Sequence, residues 1–126
     1  MMFCKTICRT LFFVMVINLT RKELVDFFNT FENSTVDCPF SGDDISLAAR
    51  HISNGKWYAL VMKLDGKDIV NLKCDPLQSQ FLRDNFDGIY EAYHMNKVHW
   101  NTVDLESDVP SNLIKDLVSH SFELTL

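Results

Sequence analysis

The centre of the chain holds an Asn-Gly pair, Asn54-Gly55, between two runs rich in apolar residues. Asn-Gly adopts the positive φ angles that a two-residue hairpin turn requires, so this pair is the clearest local sign of a β-hairpin. The flanking runs predict strands over residues 45–52 and 57–64. A second tight turn at Asp65-Gly66 predicts a third strand over residues 68–74. We therefore expect a three-stranded antiparallel meander.

One helix is predicted before this meander in the chain and another after it. Thr20 and Glu23 match a capping box, and apolar residues at helical spacing follow, which predicts a helix over residues 21–31. Asp75-Pro76 places an N-cap residue before a proline at the first helical position, which predicts a second helix to about residue 86. The side chains expected to face the core from this second helix are Leu77, Phe81 and Leu82.

Two further strands and a last helix complete the order. Strands are predicted over residues 89–94 and 98–105, and a helix is predicted to begin near Pro110. The side chains of that helix expected to face the core are Leu113, Leu117, Val118 and Phe122. The order α-β-β-β-α-β-β-α, with short or helical connections, predicts a two-layer α+β fold with an antiparallel sheet and the helices on one face.

The N-terminus combines two cations, Lys5 and Arg9, with an apolar run over residues 11–17. Seven apolar residues are too few to cross a bilayer, and no A-x-A-like cleavage site follows them. We expect an N-terminal extension over residues 1–18, as an extra helix or an extended arm that packs on the domain or contacts a second copy. A single domain over residues 19–126 is expected to follow it. The side chains expected to make the packing contact are Phe12, Phe13, Val14 and Ile17.

The four cysteines indicate a reduced, cytoplasmic protein. Cys4 and Cys8 are one helical turn apart, and neither a CxxC motif nor a Cys/His zinc spacing occurs. A disulfide framework is therefore not expected.

The net charge limits the choice of partners. The chain has 126 residues, 47% of them hydrophobic, which indicates a folded domain rather than a disordered chain. Twelve Lys and Arg against 17 Asp and Glu give a net charge of −5, which repels a polyanion unless the cations share one face. Residues 45–74 have a local charge of +3, so the predicted hairpins are the basic part of the domain.

Polar side chains interrupt the apolar pattern in two segments, residues 71–76 (NLKCDP) and 93–102 (YHMNKVHWNT). One interpretation is a nucleic-acid surface, in which lysines hold phosphates and aromatic rings stack on bases. The residues assigned to that surface are Lys73, Tyr93, His94, Asn96, Lys97, His99 and Trp100. The hairpin cations that would extend it are Arg50, Lys56, Lys63 and Lys67.

Two other interpretations use the same residues. In the first, the cluster is structural: Trp100 fills the core and polar side chains satisfy backbone groups. The side chains assigned to that task are Asn71, His94, Asn96 and Asn101. In the second, a pocket receives a protein or a small molecule. Its expected lining is Tyr93, His94, Lys97 and Trp100.

Catalytic and metal sites are not predicted. Cys74 ends an apolar strand, where cysteine is usually a buried hydrophobic residue and not a nucleophile. His94 and His99 have no acidic or cysteine ligand at a helpful spacing. The loose spacing of the carboxylates Asp37, Asp43 and Asp44 is typical of a solvent-exposed face and not of a metal site. We expect no cofactor.

Three ordered segments resemble the MmcQ/YjbR family of small, mainly bacterial proteins. They are NLKCDP, YHMNKVHWNTV and DVPSNLIKDLVSHSFEL, and the similarity covers residues 19–124. The resemblance implies an α-β3-α-β2-α fold, similar to secretion-chaperone-like and frataxin-like proteins, and a DNA-binding label without a known reaction. The chain departs from the family pattern at two places. Phe122 stands where the family more often has Tyr, and Glu91-Ala92 stands where Pro-Gly is common.

The expected function is therefore that of a non-enzymatic binding protein that contacts DNA through a basic sheet and hairpin face and through the YHMNKVHW loop. The alternative is a protein-binding or small-molecule-binding module. The sequence does not determine the oligomeric state.

Overall fold

The computed structural model describes residues 18–126. They form three helices and six strands, numbered here in chain order. The elements are α1 (Arg21–Phe28), β1 (Ser34–Asp37), β2 (Leu47–His51), β3 (Trp57–Leu64), β4 (Lys67–Lys73), α2 (Pro76–Asn85), β5 (Ile89–Glu91), β6 (Trp100–Asp104) and α3 (Ser111–Leu124). The predicted packing of the N-terminal extension, with Cys4 and Cys8, falls on residues 1–17, outside the described residues.

The predicted α+β class is confirmed. The strands form one antiparallel sheet in the order β1-β2-β3-β4-β6-β5. All three helices pack on the same face of this sheet, because Phe28 of α1, Leu82 of α2 and Val118 of α3 share one core cluster with Val61 and Val70 of the sheet. The helix–turn–hairpin signals in the sequence thus predict the layers correctly.

The β1 strand was not predicted. Residues 34–37 lie in a polar stretch to which no element was assigned, but Ser34–Asp37 pair with β2 and extend the sheet at its edge. Only Val36 of this strand packs on the core cluster. One apolar residue in a polar stretch is too little for a strand signal, so the pairing depends on the neighbouring hairpin.

The start of α1 is fixed as predicted. The Thr20 hydroxyl accepts from the Glu23 N–H at 3.1 Å, and the Glu23 carboxylate accepts from the Thr20 N–H at 2.9 Å, which completes the capping box. Arg21 donates to the carbonyl of Ile45 and lies 3.6 Å from the Asp68 carboxylate. The first turn of α1 is therefore attached to the end of the sheet where β2 begins and the β3–β4 hairpin turns.

The predicted inner face of α2 is wrong for two of its three residues. Leu82 is buried, but Leu77 is 84% exposed and Phe81 is 56% exposed. The helix packs at the sheet edge beside β5, and only its Ser79 and Leu82 side is buried. An amphipathic pattern gives the spacing of the apolar residues but not how much of the helix the sheet covers.

The register defines a second face of the sheet, opposite the helices. Directly paired residues in antiparallel strands point to the same side, so one continuous row crosses the sheet. This row contains Asp37, Ala48, Leu60, Asn71, Thr102 and Tyr90. The second row contains Met62, Ile69 and Asp104, and the third contains Lys73 and Trp100.

Among residues 18–126, none of the helices is long and apolar enough to cross a bilayer.

Candidate functional site

The two polar sequence segments meet on the second face. Lys73, the last residue of β4, is paired directly with Trp100, the first residue of β6. Both side chains are half-buried. Trp100 is absent from the core cluster, so the interpretation of this ring as core filling is wrong. The pairing places a cationic side chain beside an indole at one end of the face.

A buried polar pair fixes the loop that precedes Trp100. The Thr102 hydroxyl donates to the Asn71 side-chain oxygen at 2.5 Å, and the Asn71 amide donates to the carbonyl of Tyr93 at 3.1 Å. The Tyr93 N–H donates to the Thr102 hydroxyl at 2.8 Å. Asn71 and Thr102 are fully buried. Their hydrogen bonds hold the Tyr93 backbone over the second face, which confirms the structural role expected of Asn71.

The loop itself is closed by Asn96. Its side-chain oxygen accepts from the N–H groups of Val98 and His99, at 2.9 and 3.2 Å. Its carbonyl accepts from the Trp100 N–H at 2.9 Å. Asn96 therefore positions Trp100 and satisfies backbone groups, as the structural interpretation proposed.

Tyr93 and His94 present adjacent rings at the turn. Their centroids are 4.0 Å apart and the ring planes are inclined by 46°. His94 has a φ of 63°, which is uncommon for a residue other than glycine. No hydrogen bond joins the His94 ring to another described residue, so its assigned role in satisfying backbone groups is not observed.

Lys97 and His99 complete the group. The Lys97 ammonium donates to the carbonyl of Ala92 at 2.9 Å, a neutral partner that leaves its charge uncompensated. The carbonyl of His99 accepts from the Cys74 N–H at 2.8 Å, so the exposed His99 lies where β4 ends. We call the following residues the aromatic–basic cluster: Lys73, Tyr93, His94, Lys97, His99 and Trp100.

The hairpin cations do not extend this cluster as a continuous positive face. Arg50 is paired with Asp37, Lys63 lies 3.3 Å from Asp68, and Lys67 lies 3.6 Å from Asp104. Lys63 is also on the helix side of the sheet, because it lies two positions after the core residue Val61 on the same strand. A segment charge of +3 contains no information on strand register or on ion pairing. Of these hairpin cations, only Lys56, at the β2–β3 hairpin, is exposed and without a carboxylate partner among the described residues. The continuous basic sheet expected from the sequence is therefore not present.

The thiol at the end of β4 is not activated. Cys74 is 4% exposed, and burial raises the pKa of its thiol. The imidazole of His120 accepts from the N–H of Asp75, the next residue in the chain, at 3.5 Å. A thiol with a raised pKa is a poor nucleophile at neutral pH.

The acidic residues considered as metal ligands do not form a metal site. Asp43 accepts from the N–H groups of Ile45 and Ser46 at 2.8 and 3.0 Å, and these hydrogen bonds lower the pKa of its carboxyl. Within residues 18–126, no group of three or more His, Cys, Asp or Glu side chains is placed to hold a metal ion.

One feature was missed at the sequence level, a concavity of about 480 Å³ beside α3. Its lining includes Phe31, His51 and Phe122, and the Phe31 and Phe122 rings stack at 4.5 Å. His51 is 1% exposed, and its Nε2 lies 2.8 Å from the Thr125 hydroxyl. Burial lowers the pKa of the imidazole. A single histidine in an apolar strand gives no sequence signal of this arrangement.

Neither this concavity nor a second one among the described residues is lined by the aromatic–basic cluster. The second is lined by residues of the β1–β2 connection, including Phe40 and Asp43.

Comparison with known proteins gives one consistent family. The YjbR family model matches residues 30–124. The uncharacterized protein YyaQ of Bacillus subtilis is 38% identical over 117 residues, which cover 85% of this chain and 98% of YyaQ. The uncharacterized protein YjbR of Escherichia coli is 32% identical over 66 residues, which cover 52% of this chain and 56% of YjbR.

Solved structures support the same fold. A protein from Pseudomonas syringae, solved by crystallography, superposes with a TM-score of 0.78 at 34% identity, covering 86% of this chain and all of that one. The Deinococcus radiodurans protein DR2400, described as a DUF419 domain, superposes with a TM-score of 0.74 at 32% identity, covering 84% of this chain and 78% of that one. None of these descriptions states a ligand or a reaction.

Proposed function

We propose that this chain, which belongs to the YjbR family, is a non-enzymatic binding protein that holds a short single-stranded stretch of DNA on the second face of its sheet. The binding surface is the aromatic–basic cluster. The observation that carries the proposal is the direct pairing of Lys73 with Trp100 on that face, over which a hydrogen bond to Thr102 holds the Tyr93 backbone.

Base stacking is the first contribution. Every base has a π-face, so an accessible aromatic ring binds single strands with little sequence preference, at about 1–3 kcal/mol per stacked base. Trp100 is half-buried and outside the core, and Tyr93 is half-buried above Asn71. Both rings keep accessible surface while the Asn71–Thr102 pair and Asn96 fix the backbone that carries them. A preordered surface reduces the entropy lost on binding.

Phosphate contacts are the second contribution. Lys73 forms no ion pair with any described residue, and Lys97 bonds only a carbonyl. His94 and His99 are exposed beside them. Each of these two ammonium groups is free to contact a phosphate.

The charge distribution favours a single strand over a long duplex. Duplex binding through the hairpins needs several free cations along one face, and Arg50, Lys63 and Lys67 are each paired with a carboxylate. The net charge of −5 adds repulsion beyond the cluster. A short contact at the cluster avoids most of that repulsion.

Binding without catalysis is part of the proposal. The raised pKa of Cys74 disfavours the thiolate form, which argues against thiol chemistry at this end of the sheet. Cys38 and Cys74 are both free, which fits the reduced cytoplasm that we propose as the location.

The test is a titration of the full chain with labelled single-stranded and duplex oligonucleotides at several salt concentrations. We expect tighter binding to the single strand, and weaker binding in Lys73→Ala and Lys97→Ala. Absence of binding at low salt, or equal binding by both variants and the unmodified chain, overturns the proposal. Salt-independent binding of a neutral planar compound at the cluster supports the alternative small-molecule role instead.

A further inference from the structure

Strand β1 is an edge of the sheet and pairs with β2 alone. Its first residue, Ser34, lies opposite His51, whose N–H and C=O bond Lys56 and Gly55 at 2.9 and 2.8 Å, on the side away from β1. Ser34 is therefore at a non-hydrogen-bonded position of the ladder, and such positions alternate along antiparallel strands. The backbone N–H and C=O groups of Ser34 and Val36 thus point outward, and within residues 18–126 they have no hydrogen-bond partner.

This edge is not protected against a further strand. Edge strands are commonly blunted by a lysine, a proline or a bulge. β1 contains neither lysine nor proline, and its register with β2 is continuous. The opposite edge, β5, is only three residues long and has α2 packed beside it. β1 is therefore the edge at which an extended chain can be added.

A concavity lies at each end of β1. The residues just before the strand, 30–33, line the concavity of about 480 Å³ beside α3. Those that follow the strand, including Phe40 and Asp44, line the second concavity, of about 430 Å³. An extended segment along β1 runs from one concavity to the other. In strand addition, main-chain hydrogen bonds give the affinity and pockets for side chains give the specificity.

Both concavities are acidic. Glu32 lines the first, and Asp43 and Asp44 line the second. Glu32 and Asp44 are exposed and form no ion pair with a described residue. Hydrogen bonds from Ser46 and Ile45 lower the pKa of the Asp43 carboxyl, so it is ionised at neutral pH.

The cation nearest to β1 in the register does not neutralise these carboxylates. Arg50, which lies opposite Thr35, is already paired with Asp37. An occupant with a positive side chain at each end therefore complements this edge. A second copy of the chain would instead bring its own carboxylates to the same place, and like charges at an interface disfavour association.

We propose that β1 binds an extended peptide segment of another protein as a further strand of the sheet, with a basic side chain of that segment in each concavity. In the sheet, β2 and β3 separate β1 from β4, and β6 and β5 lie beyond β4. The contact therefore uses no residue of the aromatic–basic cluster, and its outcome is independent of DNA binding.

The first test titrates the full chain into a fluorescein-labelled peptide, KTVTVTK, and follows the anisotropy. We expect saturable binding of this peptide and none of ETVTVTE. An added strand directs only alternate N–H groups toward its neighbour, so N-methylation of the valines or of the threonines, but not of both sets equally, should abolish binding. Absence of binding, equal binding of ETVTVTE, or equal effects of the two methylation patterns each overturn the proposal.

Amide hydrogen exchange, measured by NMR in the isotope-labelled full chain, locates the peptide. We expect exchange of the Ser34 and Val36 N–H groups to slow by about tenfold or more when KTVTVTK saturates the chain, because these groups become hydrogen-bonded. The Thr35 N–H, which is directed toward β2, should change less. Unchanged exchange at Ser34 and Val36 overturns the proposal. Protection in the free chain that rises with protein concentration also overturns it, because a second copy would then be the occupant.

The last test concerns the two acidic ends. The double variant Glu32→Gln, Asp44→Asn should bind KTVTVTK more weakly by about threefold or more at low salt, because two charge contacts are lost. Glu106→Gln is the matched control, since Glu106 is an exposed carboxylate that follows β6, across the sheet from β1. An equal affinity of the double variant and the unmodified chain, or an equal loss in Glu106→Gln, overturns the proposed basic partner.

Discussion

Lys73 and Trp100 stand directly opposite each other on β4 and β6, with both side chains on the sheet face that the helices do not cover. They come from segments 27 positions apart that the sequence marks only as polar interruptions. Pairing brings a cation without a carboxylate partner among the described residues next to an indole outside the core. That combination is the basis of the proposed nucleotide contact.

Replacing Lys73 by Ala should weaken the binding of single-stranded DNA and reduce its salt dependence. Each phosphate contact on a single strand contributes about 0.7 to the slope of log affinity against log salt, so the slope should fall by about that amount. Fluorescence anisotropy at three salt concentrations measures it. Lys22→Ala is the matched control, because Lys22 is an exposed lysine on α1. Equal losses in both variants would mean that only net charge matters.

Replacing Trp100 by Ala should cost about 1–3 kcal/mol of binding free energy through lost stacking, whereas Trp100→Phe should retain most of it. The unfolding midpoint in urea is measured in parallel, because Trp100 is half-buried and also contributes packing. A binding loss of the same size in Trp100→Phe and Trp100→Ala would argue against stacking.

Replacing Asn71 by Ala should destabilise the protein. The Thr102 hydroxyl and the Tyr93 carbonyl would each lose a buried partner, at a cost of about 1–3 kcal/mol in the free energy of unfolding. Urea denaturation measures this cost. Asn112→Ala, at an exposed position of α3, should change stability by less than about 0.5 kcal/mol. A stable Asn71→Ala variant would show that the pair does not hold the loop.

Stability should fall as the pH drops below the ordinary histidine pKa of 6.5, because burial lowers the pKa of His51 in the folded protein. In that range the unfolded chain binds a proton at this position and the folded protein does not, so the free energy of unfolding decreases with falling pH and is level above it. Urea midpoints between about pH 5.5 and 7.5 test this, since most carboxylates stay ionised there.

The His51→Gln variant should lose this pH dependence, and His99→Gln should keep it, because His99 is exposed. An unchanged pH profile in His51→Gln would assign the effect to another group.

The sequence predicts those parts of the fold that depend on local chemistry. Strand β3 runs over the predicted residues 57–64, because Asn54-Gly55 and Asp65-Gly66 fix both of its ends. The capping box of α1 and Pro76 at the start of α2 are equally local. The short strand β1 and the exposed Leu77 and Phe81 depend on which neighbours cover them, and periodicity contains no information on that.

The candidate site divides in the same way. Its residues could be identified from the sequence, because polar side chains in apolar strands are unusual. The pairing of Arg50, Lys63 and Lys67 with carboxylates could not, because it depends on strand register and on residues distant in sequence. Segment charge therefore overestimated the number of unpaired cations on the hairpins.

The central claim, nucleic-acid binding at Trp100, is tested most directly by the fluorescence of that residue. The chain has two tryptophans, so Trp57→Phe leaves Trp100 as the only tryptophan, which can be excited selectively at about 295 nm or above, where tyrosine absorbs little. Titration of this variant with a short single-stranded oligonucleotide at low salt should give saturable quenching that is reversed by added salt. An emission that stays constant while the oligonucleotide is added at low salt, or quenching that salt does not reverse, would contradict the account.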